Sequence, residues 1–385
     1  MKFIEHHIRQ VEIIFEAYKG QEPLHLFLKK YFKKNKKFGS RDRRNIAEYL
    51  YGVFRIGREN RHLSIRQRVY IYLFLKGEMP VGFFIEDFSA LALMQNQPFE
   101  ARLLFIQNKY ELRNSFRTQE EISSSIDTTN YRNSFYHEPQ VFIRFRKNSK
   151  QKYKEFIDEH NGLCIEDATY VFPPKTNLES FLDAKDYVVQ DMNSQRTIRY
   201  VPTLQQGALV WDCCAGSGGK SILLLDKFPE VELTVTDVRP TILRSLIERF
   251  TLYDVEAEII AEVNVNKEKD LTVLEDRYYD FIICDAPCTG SGTWARTPEQ
   301  FYYFDKKEVD RFQKRQLDIL LNASTRLKNN GELLYITCSV FAKENEHVVN
   351  KFLEHFKEFK LLTQEYLDGT SLKADTLFIA KFIKK

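Results

Sequence analysis

The sequence predicts an α/β chain in which a parallel sheet covered by helices on both faces follows an all-helical region and a small α+β module. Three observations predict it. Beyond residue 200, strand-like and helix-like segments alternate without interruption; residues 1 to about 125 repeat apolar positions at helical spacing; from about 138, short segments of both kinds mix. At 385 residues the chain is long enough for two or three separate cores.

In the first region, "RRNIAEYLYGVFRIG" and "RQRVYIYLFLKG" have helical periodicity, and glycine and proline fall at candidate ends such as "KGEMPVG". The polar stretch "EEISSSIDTTN", residues 120 to 130, reads as a linker. In the module that follows, "QVFIRFRK" and "ATYVFPP" read as strands and "YKEFIDEHN" as a short helix. The expected division is therefore 1–125 helical, 126–195 linker and α+β module, and 196–385 α/β domain. In the last part "GALVWDCCA", "ELTVTDV", "AEIIAEV", "YDFIICDA" and "GELLYITCS" read as buried strands. Helices are expected at "GGKSILLLDKF", at "PTILRSLIERFTLY" with Pro240 in its first turn, at "KKEVDRFQKRQLDILLNASTRLK" and at "AKENEHVVNKFLEHF". Such a sheet binds ligands beyond the carboxyl ends of its strands.

Composition excludes several classes. With 43% apolar and 14% aromatic residues the chain is not disordered, and it has no uncharged apolar run of about 18 residues to span a bilayer. The N-terminal "MKFIEHHIRQVEIIFEAYKG" carries charge throughout its apolar stripe and reads as an amphipathic helix, not a signal peptide, so a cytoplasmic protein is expected. Six cysteines without a C-x-x-C pair imply free thiols, neither a disulfide framework nor a metal site. Net charge is only +3, but residues 29 to 44 hold nine basic residues against one acidic, and residues 144 to 154 hold six against none. A charge run is ordinarily a solvated helix face. Here Tyr31, Phe32, Phe38, Phe145 and Tyr153 interleave the basic residues, a pattern suited to phosphate attraction with stacking on bases, and RNA or another single-stranded nucleic acid is the expected partner.

The first α/β strand runs into "WDCCAGSGGK", where Gly216, Gly218 and Gly219 allow a sharp turn and close ligand approach before a helix N-terminus. It is not a phosphate loop, because no glycine lies five residues before Gly219. The second strand ends at Asp237, about 20 residues on, where a carboxylate can accept both ribose hydroxyls. An adenosine cofactor fits both features, whereas the G-x-G-x-x-G register of a nicotinamide dinucleotide is not met.

If that cofactor is S-adenosylmethionine, the segment after the fourth strand decides the methyl acceptor. Enzymes that methylate exocyclic amines carry [DN]-P-P-[YF] there, and this chain has "DAPC", with a thiol replacing the aromatic ring. Carbon 5 of a pyrimidine becomes nucleophilic once a thiolate adds to carbon 6, so a carbon acceptor is expected. Asp285 beside Cys288 can hydrogen-bond the ring nitrogen and amino group of cytosine. Cys338 in "YITCS" offers a second thiol, which can assist loss of the carbon 5 proton and release of the product. The plainer alternative makes both thiols small core residues, the reading taken for Cys164, Cys213, Cys214 and Cys284.

"DAPCTGSGTWARTPE" followed by "RQLDILLNASTRLKNNGELLYITCSVFAKENE" resembles the Sun/Fmu group of RNA (cytosine-5)-methyltransferases, the RsmB type of bacterial ribosomal RNA enzyme. "YVVQDMNSQ" resembles the segment preceding that catalytic domain, "WDCCAGSGGK" its D-x-C-A-x-P-G-G-K loop, and "FGSRDRRNIAEYLYGVFR" its NusB-like helical domain. The resemblance implies a Rossmann-like S-adenosylmethionine-dependent domain with a seven-stranded sheet, acting on RNA, ribosomal more than transfer, as a monomer without metal. It makes Cys338 the nucleophile and Cys288 the residue that assists release, with Asp285 binding the base and Lys220 near the methyl-transfer site. It implies a cofactor site at Cys214, Ala215, Gly216, Ser217, Gly218, Gly219, Lys220, Asp237 and Asp285, with Glu262 as the acid near the adenine, chosen over Asn264 and Asn266. Gly216 and Ser217 replace the alanine and proline usual in the family, and "DTLFIAKFIKK" lacks the usual Asp-Gly-Phe step. The rival classes are a noncatalytic RNA-binding or ribosome-assembly protein and a small-molecule methyltransferase.

Overall fold

The computed structural model describes residues 2–79, 89–114, 121–147 and 149–385. They divide into two compact units, the first comprising Met1–Glu120, Asp127–Glu138 and Trp294–Asp305, the second Glu121–Ile126, Pro139–Thr293 and Lys306–Lys385.

The first unit is helical: α1 (Lys2–Ala17), α2 (Leu24–Lys34), α3 (Ser40–Ile56), α4 (Ile65–Lys76), α5 (Ser89–Met94), α6 (Phe99–Tyr110) and α7 (Thr128–Ser134). Helix α4 is buried at every position from Arg68 to Leu75, so it is the central helix. Its start and stop are written locally. Ser64 Oγ accepts from Gln67 N while Gln67 Oε1 accepts from Ser64 N, and Gly77 closes the helix in the left-handed conformation at φ 79°. Ile8, Val11 and Ile14 of α1 and Leu50, Val53 and Phe54 of α3 complete the core around it.

The first basic run differs from the expectation. Lys33, Lys34, Lys36 and Lys37 are exposed, but Phe32 and Phe38 are buried in the helical core. The spacing that interleaves cations and rings is the amphipathic period itself, with the lysines on the solvent side. The second run divides likewise. Phe145 and Tyr153 are buried and stacked on each other at 5.8 Å. Arg144 and Arg146 are buried too, and both pair with Asp226, at 2.5 and 2.7 Å.

The second unit holds two sheets. The smaller is antiparallel, in the order β2-β3-β1-β4, from β1 (Val141–Phe145), β2 (Leu163–Glu166), β3 (Thr169–Phe172) and β4 (Tyr187–Val189), with α8 (Lys154–Glu159) beside it in sequence. The larger contains β5 (Leu209–Asp212), β6 (Glu232–Asp237), β7 (Ile259–Glu262), β8 (Tyr279–Asp285), β9 (Leu327–Thr337), β10 (Phe359–Leu367) and β11 (Leu377–Lys384), in the order β10-β11-β9-β8-β5-β6-β7. Strands β5 to β9 are parallel, and β11 enters antiparallel between β9 and β10. The helices between are α9 (Met192–Arg196), α10 (Gly219–Lys227), α11 (Pro240–Tyr253), α13 (Lys307–Ser324) and α14 (Glu346–His355); α12 (Pro298–Tyr303) lies in the helical unit.

Alternation along each strand sorts the two faces. Phe281, Ile283, Leu334 and Ile336 pack with Ile222 and Leu224 of α10 and Leu246 and Phe250 of α11. Ile282, Cys284, Leu333 and Tyr335 pack with Ile319 and Leu320 of α13 and Val348 and Phe352 of α14. Cys213 and Cys284 are core residues as expected, but Cys164 is exposed, because β2 is an edge strand of the small sheet. In "YVVQDMNSQ", the buried Asn193 donates to Leu367 O and Asp375 O at 2.9 and 2.7 Å, tying this segment to the β10–β11 turn. Among the described residues no helix is long and apolar enough to cross a membrane, and no group of three or more His, Cys, Asp or Glu is arranged to hold a metal ion.

Among the described residues, Asp226 of α10 is the carboxylate paired with both Arg144 and Arg146, so removing it strips two buried cations of that partner. Asp226→Ala is expected to lower the unfolding free energy by about 3 kcal/mol or more, read from urea denaturation of the purified protein.

Candidate active site

The chain order reverses at β5, which has β6 on one side and β8 on the other, and this switch point opens a crevice at the carboxyl ends of the strands. Strand β5 ends at Asp212, which is buried and accepts a 2.7 Å hydrogen bond from Ser221 Oγ. Burial pushes the Asp212 carboxyl up to about 7 against the Ser221 bond, with the Asp285 charge adding to the rise. The loop then turns through Gly216 at φ 56° and Gly218 at φ 80°. At Gly218 an added Cβ would lie 2.9 Å from the Phe250 ring, so both conformation and packing require glycine.

Asp237 ends β6 and faces this loop. Its Oδ2 accepts from Gly216 N at 3.1 Å, while Arg239 donates to both carboxylate oxygens through its backbone N, Nε and Nη2, each at 2.9 Å. Burial alone would raise the Asp237 carboxyl; the Arg239 and Gly216 donors outweigh it and hold the group below its ordinary value. Glu262 ends β7 directly opposite Asp237 in the parallel register and is exposed. Cys214 and Ala215 are half-buried, and Ala215 N donates to Thr236 O at 2.9 Å. Ser217 accepts from Arg249 Nη1 through its carbonyl and hydroxyl at 2.8 and 3.0 Å.

Strand β8 ends at Asp285, whose Oδ2 accepts from Lys220 Nζ at 2.5 Å. Burial would lower the Lys220 ammonium, but the charge and hydrogen bond of Asp285, followed by Asp212 and Cys338, raise it, so the cation persists beside the crevice. Parallel pairing sets Asp285 across from Ile336 of β9, and the residues beyond the two strand ends bring Cys288 Sγ and Cys338 Sγ within 3.2 Å. The Cys288 thiol is pushed well up, first by its hydrogen bond with Cys338 and then by burial, with the Cys338 and Glu344 charges adding.

The structure thus brings Lys220, Asp285, Cys288 and Cys338 together at the β8–β9 end, and Cys214 to Gly219 with Asp237 at the β5–β6 end, with Glu262 beside Asp237. Sequence reasoning missed Ser221 and Arg239. Ser221 follows the lysine of "GGKS", nine residues past Asp212, and can be found because the first turn of the helix folds back over the strand end; Arg239 carries no signal that separates it from a surface arginine.

Because the folded state holds the Asp212 proton more tightly than the unfolded chain, the stability this proton contributes is full below pH 3.8 and is lost as pH rises through about 7. The stability of Asp212→Asn relative to the native protein should therefore grow between those limits, by up to about 4 kcal/mol, in urea titrations across that range.

Residues 200–383 match the family model described as 16S rRNA methyltransferase RsmB/F. Ribosomal RNA small subunit methyltransferase B of Pasteurella multocida (strain Pm70) is 29% identical over 236 residues, 58% of this chain and 52% of that protein. Its namesake in Salmonella arizonae is 29% identical over 209 residues, 51% and 47% of the two chains. The chain spans about half the length of these curated relatives. Two solved structures share the fold at low identity. PH0851 aligns with TM-score 0.70 at 18% identity, over 98% of this chain and 97% of that one. A methyltransferase homolog protein from Pyrococcus horikoshii aligns with TM-score 0.57 at 20% identity, over 67% and 90%. Residues 200–383, which hold the glycine loop, the paired carboxylate and lysine and the two adjoining thiols, are thus similar to the methyltransferases that the RsmB/F family model describes.

Proposed function

We propose that this protein is an S-adenosylmethionine-dependent RNA methyltransferase that forms 5-methylcytosine in 16S ribosomal RNA through a covalent adduct. The observation that carries this reading is the 3.2 Å separation of the Cys288 and Cys338 sulfurs, next to the Lys220–Asp285 pair. Two thiols at the ends of neighbouring strands can then serve a single base.

The residues at the β5 and β6 ends fit the cofactor. Above Gly216 there is open space, with no heavy atom within 4 Å of where a Cβ would stand, and Asp237 borders it with an ionised carboxylate suited to ribose hydroxyls. Cys214 to Lys220 would line one side and Asp285 the other, with Glu262 next to Asp237 on the adenine side. When bound, S-adenosylmethionine supplies an electrophilic methyl group, for which carbon 5 of the activated ring is the nucleophile.

The chain's own residues activate that ring. The Cys338 thiolate adds to carbon 6, forming an S–C bond and moving the ring's electron pair toward carbon 5. Asp285 accepts a hydrogen bond from the cytosine amino group, and the Lys220 ammonium on Asp285 keeps that carboxylate oriented and sets a positive charge near the negative charge that builds on the ring. Release requires transfer of the carbon 5 proton to a water molecule; the C5–H electrons restore the ring double bond as the C6–S bond breaks, and the sulfur electrons return to Cys338, where the Cys288 thiol can share its proton with the departing thiolate. Cys288 assists this second stage. Its raised thiol suits it to remain protonated while its neighbour attacks, which agrees with the family resemblance in giving Cys338 the nucleophilic role. The exposed lysines of α2 and the loop after it supply attraction for phosphate.

Cys338→Ala is expected to abolish methyl transfer, whereas Cys288→Ala accumulates a covalent protein–RNA adduct visible as a shifted band on a denaturing gel; normal turnover by Cys338→Ala defeats the assigned nucleophile. Bisulfite mapping of 16S ribosomal RNA from cells with and without the protein identifies the target cytosine. Replacing Lys33, Lys34, Lys36 and Lys37 by glutamine should weaken RNA binding and flatten the slope of log affinity against log salt by up to about 3, measured by filter binding between 50 and 200 mM salt.

A further inference from the structure

The distance between two sulfurs on separate loops is only as well defined as the loops themselves, so what holds the residues flanking each cysteine decides whether the pair is reactive. Those flanks converge on one buried group. Glu344, 0% exposed, receives Thr289 N at 2.9 Å and Thr289 Oγ1 at 2.5 Å from the residue after Cys288, and Ser339 Oγ from the residue after Cys338. Gln316 of α13, also fully buried, donates from one Nε2 to Glu344 Oε1 at 2.9 Å and to Pro287 O, the residue before Cys288, at 3.0 Å. Asn345 completes the set, accepting from Thr337 Oγ1 at 2.5 Å and donating to Ser339 O at 2.8 Å, on either side of Cys338.

All four residues adjoining the two cysteines are therefore gripped by Gln316, Glu344 and Asn345. The loops also touch directly, since Gly292 N donates to Cys338 O at 2.9 Å and Val340 N to Ser291 Oγ at 2.9 Å. The close approach has no slack. A Cβ on Gly292 would lie 2.0 Å from Thr376 O and 3.1 Å from Cys338 O.

A carboxylate at full burial is costly unless its oxygens are satisfied, and this one has four donors. Burial raises this carboxyl against the Ser339, Thr289 and Gln316 donors, a cost that a neutral residue filling the same space would not incur, so its presence points to a task beyond packing. We propose that Glu344 is the positioning residue of the thiol pair: it locks the loop after β8 to the loop after β9 so that Cys288 and Cys338 stand within reach of one base. This rests on the reading of those cysteines as the reacting pair. Its negative charge also adds to the rise of the Cys288 thiol, helping to keep the second sulfur protonated.

The test separates this role from the overall function by measuring sulfur proximity directly. Diamide oxidises two adjacent thiols to a disulfide and is itself reduced to the hydrazine, and the rate of Cys288–Cys338 crosslinking, read by mass spectrometry of the folded protein, requires no methyl transfer. Glu344→Gln, and independently Thr289→Val, should slow that crosslink at least about fivefold and lower kcat at least about tenfold, as expected for misplacement by about an ångström, while KM for S-adenosylmethionine stays within about twofold. An unchanged crosslinking rate in the folded variants overturns the proposal, as does a loss of activity that appears only in KM. If Glu344→Gln does not fold, Thr289→Val decides alone. If the native protein crosslinks rapidly yet transfers no methyl group, the functional reading fails and the positioning role stands.

Discussion

The pairing of β8 with β5 on one side and β9 on the other is the constraint on which the crevice depends. Parallel registry brings the ends of all three strands to one level, Asp212 beside Ile283 and Asp285 beside Ile336. Helix α10, starting within the loop after β5, can then extend Lys220 to Asp285, and the loops after β8 and β9 can bring their sulfurs together. None of these contacts is local in sequence. The two cysteines are fifty residues apart and Lys220 is sixty-five from Asp285, so strand order supplies a proximity that no turn could.

The central sheet was legible because buried parallel strands are written as near-continuous apolar runs: "LVWD", "LTVTD" and "FIICD" each end on the aspartate that closes the strand. Strand β10 was not read, since its burial alternates with exposure at the sheet's edge and "FKLLTQEYL" looks as much like a helix end as a strand. The hairpin it forms with β11 also makes this margin antiparallel, which strand–helix alternation alone does not foretell. Strands β2 and β4 were missed as well: β2 is an edge strand with Leu163 and Cys164 exposed, so it has no buried apolar run, and β4 spans only three residues.

At the site, residues belonging to short motifs were legible and their supports were not. "WDCCAGSGGK", "DAPC" and "YITCS" are contiguous, so type and spacing identify them. Glu344 in "AKENE" is indistinguishable in sequence from the acids that favour any helix N-terminus, and only the fold reveals that its carboxylate points inward to Thr289 and Ser339. The basic runs misled in the opposite direction. Charge and aromatic content were real, but period and burial assign the rings Phe32, Phe38, Phe145 and Tyr153 to cores, leaving the lysines alone for solvent or phosphate.

Helix α10 has a second consequence. Its first turn carries Lys220 and its last carries Asp226, six residues along and about 9 Å away at 1.5 Å per residue. The far end is clamped by two arginines from the small sheet, and the near end by a carboxylate at the crevice. A short rigid lever therefore joins the antiparallel module to the crevice: any load that tilts that module is delivered, through one rod, to the ammonium group paired with Asp285.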